Sequence, residues 1–182
     1  MFVLLETKRL MLRPPKAADV ARIVPLIADF DVAKNLSSAP HPYTEDDAKD
    51  FLARVTKSWE TGEGFVFSIL RKADGAFLGT CGAHPPRDGG MVGYWIGKAY
   101  WGCGFATEAV GDLVRFAFEE RMAEKLTAKW YFDNRASGRV LQKLGFERRG
   151  DDSTSCRARG WHVLSHVATL DRATYMTRKM GL

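Results

Sequence analysis

The sequence lacks the features that mark several large classes of protein. It has no apolar run near the roughly 18–20 residues that a membrane-spanning helix needs. Its three cysteines form no CxxC pair, so neither a disulfide framework nor a zinc site is expected. The opening residues MFVLLETKRL carry charge too early for the apolar segment of a signal peptide. We therefore expect a cytoplasmic protein with no metal.

Dense basic clusters are also scarce, although basic residues are in excess. The formal net charge is +5, which suits an anionic partner such as a nucleic acid or an anionic cofactor. The Lys and Arg residues are scattered, however, and no nucleic-acid-binding module is recognised. Nucleic-acid binding therefore remains an alternative function and is not the expected one.

The periodicity of apolar residues predicts one α/β domain over residues 1–182, with a core from about residue 7 to residue 170. The predicted order is β-α-α-β-β-β-α-β-α-β-β, a mixed sheet in which hairpins lead into a crossover helix. Pro25 is expected to kink or shorten the first helix. Thr44 and Asp47 have the spacing of a helix N-cap signal, which places the start of the second helix.

The most informative stretch is YWGCGFATEAV, Tyr100–Val110, which follows the strand-like run MVGYWI. Gly102 and Gly104 allow a tight turn or the close approach of a ligand to the backbone. The helix expected after Ala106 begins with about four unpaired backbone amides, and its dipole favours negative charge. A phosphate could bind there. A plain strand-to-helix turn is the alternative interpretation.

Two other phosphate-binding loops fit this stretch poorly. A P-loop closes its glycine run with Lys-Ser or Lys-Thr, whereas Ala106-Thr107 stands here. A dinucleotide-binding fingerprint needs a third small residue at the position of Thr107, and it needs repeated βαβ units. Neither a nucleotide triphosphate nor a nicotinamide cofactor is therefore expected.

Two motifs resemble those of the GCN5-related N-acetyltransferase (GNAT) family. The segment WGCGFA, Trp101–Ala106, is similar to its acyl-CoA pyrophosphate loop Q/R-x-x-G-x-G/A, with Trp101 at the Gln/Arg position. The segment DNRASGRVLQKLGFERRG resembles the Asn-x-x-Ser helix of the RimJ/RimL-type ribosomal-protein N-acetyltransferases, a branch of that family. The similarity runs from about Thr7 to Leu170.

The resemblance implies a single-domain GNAT fold with a mixed, mostly antiparallel central sheet flanked by helices. It implies transfer of an acetyl group from acetyl-CoA to a primary amine, which attacks the thioester directly. The branch points to the N-terminal α-amine of a protein or peptide. A polyamine, antibiotic or amino acid as acceptor, and a non-catalytic acyl-CoA-binding module, remain alternatives. No membrane partner is expected, and the chain is expected to be a monomer or a homodimer.

The resemblance also implies the residues that bind acetyl-CoA. The backbone of Tyr94–Ile96 is expected to bind pantetheine and the thioester carbonyl, because this strand splays from its neighbour in the family. Asn134 is expected to bind the pantetheine arm, with an ordinary helix cap as the alternative. The full expected set is Tyr94, Trp95, Ile96, Trp101, Gly102, Cys103, Gly104, Phe105, Ala106, Thr107, Asn134 and Ser137.

Ser137 and His84 are the expected catalytic residues. Ser137 would donate a hydrogen bond to the CoA sulfur, although it could be an ordinary serine in the first turn of a helix. Many relatives carry a glutamate base where this chain has Met91, and Val163 stands where another acidic residue is often found. His84 could replace them because imidazole titrates near pH 6.5. A structural histidine and deprotonation relayed by water are the alternatives.

Weaker predictions concern several residues near these motifs. Cys103 lies beside a helix N-terminus but occupies a variable spacer position in the family, so its thiol is expected to be incidental. Three basic residues of the Asn-x-x-Ser helix either form a solvated face or reach the CoA phosphates: Arg135, Arg139 and Lys143. Three variable loops are expected to form the acceptor walls: Leu36–Tyr43, His84–Gly90 and Asp151–Gly160.

Overall fold

Eight strands form one sheet in the computed structural model, which describes residues 3–84 and 90–181. Their spatial order is β1-β2-β3-β4-β5-β6-β8-β7. In chain order the strands are β1 (Leu5–Glu6), β2 (Leu10–Arg13), β3 (Phe65–Arg71), β4 (Phe77–His84), β5 (Gly90–Ile96), β6 (Lys125–Tyr131), β7 (Glu147–Cys156) and β8 (Trp161–Asp171). The described helices are α1 (Val20–Ile27), α2 (Phe30–Ala33), α3 (Glu45–Thr61), α4 (Phe105–Arg115), α5 (Arg135–Lys143) and α6 (Arg172–Lys179). Within this described part, no helix is both long enough and apolar enough to cross a bilayer.

The central pair of strands, β5 and β6, is open at one end. These two strands pair in parallel over only three positions, from Gly90 opposite Leu126 to Val92 opposite Ala128. Every other pair of neighbouring strands in the described part of the sheet is antiparallel. Strand β5 continues to Ile96 and β6 to Tyr131, so the strands separate beyond Val92. The sheet therefore contains a gap beside the second half of β5.

Helices begin where the sequence supplies caps. Thr44 and Asp47 form a reciprocal capping box at the start of α3, as predicted. Asp171 caps α6 by accepting from the Thr174 amide at 2.7 Å. Helix α4 begins at Phe105, earlier than expected, because Gly104 at φ +78° already serves as its N-cap. This earlier start brings the first helical amides directly behind the second glycine.

The two faces of the sheet carry different helices. On one face α4 packs over the strands, in a cluster that includes Leu113, Phe67 and Leu126. On the other face α1 and α3 form a second cluster, against which Trp95 packs. Tyr94 packs against the first cluster, as expected from the alternation of side chains along a strand. Strand β5 therefore presents side chains to both faces directly beside the gap.

The mixed, mostly antiparallel sheet flanked by helices that was expected from the sequence is observed, with three additions to the predicted element order. These are the short strand β1, the short helix α2 and the C-terminal helix α6. One expectation is wrong: the segment Asp151–Gly160 is largely strand, because β7 extends through Cys156. Since β7 is an edge strand with most of its residues exposed, its sequence has none of the apolar alternation that marks a half-buried strand.

Candidate active site

The glycine turn offers uncapped backbone amides to a ligand. Gly102 and Gly104 have φ values of +76° and +78°, in the left-handed region that favours glycine. Apart from its chain neighbours, no atom of the described residues lies within 4 Å of the position that a β carbon on Gly102 would take. In the part of the chain that the structure describes, no side chain caps the first turn of α4, so the amides of Phe105, Ala106 and Thr107 keep their donor capacity for an anion.

Arg9 lies across the same turn. Its Nη1 donates to the Cys103 carbonyl at 3.0 Å, and its guanidinium carbon lies 4.5 Å from the centre of the Phe105 ring. Glu108 accepts from Arg9 Nε at 2.6 Å, from the Arg9 amide at 2.8 Å and from Thr7 Oγ1 at 2.6 Å. Burial tends to raise the pKa of Glu108, but these hydrogen bonds outweigh it and the pKa is lowered. A charged network therefore ties the β1–β2 turn to the glycine turn.

Strand β5 directs some of its backbone groups into the gap. The Gly97 amide donates to the Leu78 carbonyl on β4 at 2.8 Å, so the Ile96 carbonyl of the same peptide points away from β4. Trp101 Nε1 donates to that carbonyl at 2.6 Å. Because backbone groups alternate along a strand, the amides of Tyr94 and Ile96 face the gap.

Trp95 differs from its two neighbours in this respect. A β carbon on Gly79 would lie 2.0 Å from the Trp95 carbonyl, which shows that this carbonyl faces β4. Trp95 pairs with Thr80 of β4, so its peptide groups belong to the sheet. Within the expected triplet Tyr94–Ile96, only the first and last residues can offer amides to a ligand in the gap.

Asn134 and Ser137 lie together where α5 begins beside the gap. Asn134 is the N-cap, and its Oδ1 accepts from the Ser137 amide at 3.2 Å. Asn134 is therefore a helix cap, as the alternative interpretation predicted. Its Nδ2 donates to no protein group in the described part of the chain. Ser137 Oγ lies 2.8 Å from the hydroxyl oxygen of Tyr94. The structure therefore brings Tyr94 together with Asn134 and Ser137, which lie about 40 positions further along the chain.

A cleft of about 360 Å³ opens on the other side of β5. Its walls come from the segment 36–43, from α3, from β4 and β5, and from the β7–β8 turn. Tyr94, Met91 and His84 all line it. Of the three loops expected to form acceptor walls, 36–43 lines the cleft and Arg157 comes from the third. Residues 85–89 of the second loop lie outside the described residues.

His84 forms part of the cleft wall without an ion-pair partner among the described residues. It is half-buried, and burial lowers the pKa of its imidazole, so the ring is neutral at pH 7. Its ring lies over Gly64, where a β carbon would meet His84 Nδ1 at 1.9 Å. His84 pairs with Met91, whereas Tyr94 pairs with Cys81, three residues away on β4. At about 3.3 Å per residue, His84 is roughly 10 Å along the strand from Tyr94.

Charged residues that the sequence did not assign to the acceptor site complete the cleft. Asp47, Asp50 and Arg54 lie along α3, and Arg157 lies in the β7–β8 turn opposite them. Hydrogen bonds from the Thr44 side chain and amide, with the nearby Arg157, hold the pKa of Asp47 below its ordinary value against a small effect of burial. Asp47, Asp50 and Arg54 recur every three or four residues, which is the spacing that places them on one helix face.

The remaining residues that the sequence singled out supply no carboxylate. Cys103 is exposed in the glycine turn, and its carbonyl accepts a hydrogen bond from Arg9. Arg135, Arg139 and Lys143 are exposed along α5. Val163 is buried within β8 and offers no titratable group. No carboxylate stands at the β5 position held by Met91, which is partly exposed in the cleft.

Comparison with known proteins agrees with this arrangement. The family model described as "Acetyltransferase (GNAT) domain" matches residues 9–147. The uncharacterized N-acetyltransferase p20 of Bacillus licheniformis is 30% identical over 150 residues, which cover 80% of this chain and 83% of the relative. The [ribosomal protein uS5]-alanine N-acetyltransferase of Escherichia coli is 25% identical over 127 residues, covering 66% of each chain.

A solved structure supports the fold independently. Mycobacterium smegmatis RimJ in complex with CoA-disulfide superimposes with a TM-score of 0.81, at 17% sequence identity, covering 99% of this chain and 94% of that chain. At this identity the likeness concerns the fold alone. Together with the family model and the relatives, it shows that the chain belongs to the GNAT family of acetyl-CoA-dependent N-acetyltransferases.

Proposed function

We propose that the protein acetylates the N-terminal α-amine of a protein or peptide. The observation that carries this proposal is the chemistry of the cleft beside β5. Met91 stands where a carboxylate base would lie, and His84 is a neutral imidazole roughly 10 Å along the strand from Tyr94. Such a site suits an acceptor that needs little help to lose a proton.

The ordinary pKa values of amines separate the acceptor classes. An α-amine with a pKa of roughly 7.7–8.0 is about 9–17% neutral at pH 7, whereas a lysine amine near 10.4 is about 0.04% neutral. A weak or distant base therefore limits an α-amine far less than it limits a lysine or a polyamine. The name of the Escherichia coli relative, an alanine N-acetyltransferase, points to the same acceptor class.

The charges in the cleft favour a peptide over a polycation. Asp47, Asp50, Arg54 and Arg157 all line the cleft, so the lining carries both signs. A polyamine or an aminoglycoside would be recognised by an excess of carboxylates, which this set does not provide. A peptide end presents an ammonium group, carbonyl groups and side chains of either sign. A cavity of about 360 Å³ is near the lower end of the roughly 300–1,000 Å³ typical of ligand sites, so it fits a chain end.

The glycine turn and the gap in the sheet provide the proposed acetyl-CoA site. The pyrophosphate would lie on the amides of Phe105, Ala106 and Thr107, beside the glycines that leave room for it. The pantetheine arm would lie in the gap between β5 and β6, within reach of Asn134 Nδ2. The thioester would then lie beside Tyr94, where the gap meets the acceptor cleft.

The reaction follows from this placement. The neutral amine attacks the thioester carbonyl, and the gap-facing amides of Tyr94 or Ile96 donate to the oxyanion that develops. The C–S bond then breaks, and its electron pair remains on sulfur. Ser137 donates a hydrogen bond to the departing thiolate. The proton that the amine loses passes through water, with His84 as its nearest imidazole acceptor on the cleft wall.

The acceptor assignment is tested by the release of CoA thiol from acetyl-CoA. The panel holds an alanine-initiated peptide with an internal lysine, the same peptide with a blocked N-terminus, spermidine, an aminoglycoside and free alanine. We expect the free peptide to react at least about tenfold faster at pH 7 than any other acceptor. Its kcat/KM should rise with pH and level off near pH 8, as the α-amine becomes neutral.

The other outcomes have definite meanings. Equal rates with the free and the blocked peptide would assign the reaction to lysine and contradict the proposal. A preference for spermidine or the aminoglycoside would assign the cleft to small amines. No thiol release with any acceptor, despite saturable acetyl-CoA binding, would identify an acyl-CoA-binding module.

Arg9→Gln should weaken acetyl-CoA binding without changing the chemical step. We propose that Arg9 holds the glycine turn through the Cys103 carbonyl and adds positive charge beside the phosphate site. A hydrogen bond to a charged group contributes about 1.5–3 kcal/mol, so KM for acetyl-CoA should rise by at least about tenfold while kcat falls by less than twofold. Steady-state kinetics at varied acetyl-CoA concentration measure both constants.

Lys8→Gln is the matched control for Arg9→Gln. Lys8 is the exposed neighbour of Arg9, and the substitution removes the same unit of charge. If the two variants raise KM equally, Arg9 acts only through net charge and its contact with the turn has no role.

A further inference from the structure

The hydroxyl of Tyr94 makes a contact that the binding site for acetyl-CoA does not require. It lies 2.8 Å from Ser137 Oγ and 3.1 Å from the Ser137 carbonyl oxygen. The contact joins the middle of β5, beside the gap, to the first turn of α5. It thus links the strand proposed to hold the thioester to the residue proposed to face the leaving sulfur.

The number of hydroxyl protons limits the hydrogen bonds that Tyr94 and Ser137 can donate. Tyr94 and Ser137 each carry one hydroxyl proton, and each oxygen can also accept. If Tyr94 donates to the Ser137 carbonyl, Ser137 Oγ can donate back to Tyr94, and its proton is then occupied. If Tyr94 donates to Ser137 Oγ instead, the serine proton is free to point elsewhere. A serine near a helix N-terminus can also donate to nearby backbone carbonyls, so a second group is needed to orient its hydroxyl proton.

We infer that Tyr94 is a positioning residue: its hydroxyl donates to Ser137 Oγ and directs the Ser137 proton toward the departing thiolate. The inference rests on the role proposed above for Ser137. The chain of donors runs from Tyr94 to Ser137 to sulfur, and each hydrogen bond strengthens the next because both hydroxyls become polarised. Both O–H bonds stay intact; sulfur keeps the electron pair of the C–S bond, and the amine proton leaves through water.

The surroundings of Tyr94 support this role. Burial raises the pKa of Tyr94 to about 12, against the lowering effect of its hydrogen bond with Ser137, so the phenol keeps its proton at any pH at which the amine reacts. The ring packs against the apolar cluster beneath α4, which fixes the position of the hydroxyl. The sequence singled out Tyr94 for its backbone alone, and the side-chain contact spans 43 positions of the chain.

A double-mutant cycle on Tyr94→Phe and Ser137→Ala tests the inference. We expect Tyr94→Phe to lower kcat by about tenfold with KM for acetyl-CoA changed by less than twofold. Ser137→Ala should lower kcat further, and adding Tyr94→Phe to it should cost less than a further twofold. Ser137→Thr, which keeps a hydroxyl, should restore most of the dependence on Tyr94. Each variant is assayed with acetyl-CoA and an alanine-initiated peptide, and with acetyl-CoA alone, where water is the nucleophile.

Tyr131→Phe is the control for the loss of a tyrosine hydrogen bond. The Tyr131 hydroxyl donates to the Ser155 carbonyl at 2.8 Å, away from Ser137. Its loss should lower Tm but leave kcat unchanged. Equal losses from Tyr94→Phe in the wild-type and Ser137→Ala backgrounds would overturn the inference while the role of Ser137 stands. Unchanged kcat in Ser137→Ala would instead remove the proposed sulfur donor itself.

Discussion

Gly104→Asp should abolish the binding of acetyl-CoA at concentrations that saturate the wild-type protein. The substitution places a carboxylate at the N-cap of α4, beside the amides of Phe105 and Ala106 that we propose to bind the pyrophosphate. Like charges about 4 Å apart repel by about 4 kcal/mol at an effective dielectric constant of 20. The dissociation constant should therefore rise by more than about a hundredfold. Isothermal titration calorimetry with acetyl-CoA measures it directly.

Two further variants separate the causes of that loss. A β carbon on Gly104 would lie 3.4 Å from Arg9 Nη2, so Gly104→Ala tests crowding and the left-handed φ without charge. Its affinity should fall between those of the wild type and Gly104→Asp. Gly150→Asp adds the same carboxylate at an exposed position with no atom within 4 Å, and it should bind acetyl-CoA normally. Undiminished affinity in folded Gly104→Asp would place the pyrophosphate elsewhere.

The glycine turn could be predicted from the sequence because its chemistry is local. Gly102 and Gly104 stand two positions apart, and the φ values that they need follow from the turn that they form. The start of α5 is local in the same way, since Asn134 and Ser137 lie within one helical turn. Local geometry fixed by a few adjacent residues leaves a recognisable pattern in the chain.

The partners of those residues could not be predicted in the same way. Arg9 reaches the glycine turn across 94 positions of the chain, and nothing adjacent to it indicates this contact. Arg157 enters the cleft from a β7–β8 turn that follows a polar edge strand, which the sequence suggested was a loop. Long-range pairing depends on the sheet order, in which β8 lies between β6 and β7. A pattern of residues along the chain does not specify that order.

Because side chains from distant segments form the cleft, the sequence alone could not identify the catalytic base. The sequence shows that Met91 and Val163 are not acids, but it does not show which side chains replace them. In the structure the cleft holds a neutral His84, and its lining combines carboxylates on α3 with Arg54 and Arg157. Under the proposed function, such a site selects its acceptor by the amine's own pKa, so the pH profile is as informative as any substitution.

Asp19→Asn should destabilise the fold by about 3–5 kcal/mol, the usual cost of leaving one partner of a buried ion pair alone. Asp19 is fully buried and accepts from Arg13 Nη1 at 2.7 Å, from Arg13 Nη2 at 2.8 Å, from the Lys16 amide at 2.9 Å and from Ser68 Oγ at 2.9 Å. These contacts join β2, β3 and the entry to α1, the helix that packs over the cleft face. Urea unfolding at pH 7 measures the loss.

The dependence of that loss on pH follows from the charge of the carboxyl group. Burial would raise the pKa of Asp19, but the hydrogen bonds from Arg13, Lys16 and Ser68 outweigh it and lower the pKa below its ordinary value. Because the pKa is lower in the folded than in the unfolded state, the stabilisation is complete above the unfolded value, about 3.9, and is lost as pH falls through the folded value. The difference in unfolding free energy between wild type and Asp19→Asn should therefore be constant from pH 5 to pH 7 and shrink below pH 4.

Asp74→Asn is the control for this prediction, because Asp74 forms an exposed ion pair with Arg71 at 2.5 Å. Exposed pairs contribute little, so this variant should unfold at nearly the wild-type urea concentration.

If Asp19→Asn lowered the free energy of unfolding as little as Asp74→Asn does, an amide could replace the buried carboxylate. The apolar face of α1 would then be what holds that helix in place. If instead the loss is large but independent of pH down to pH 3, the carboxyl group acts through its shape and hydrogen bonds and its charge is not essential. In either case, turnover by the fraction of Asp19→Asn that remains folded should match the wild type, since Asp19 contacts neither the glycine turn nor the cleft.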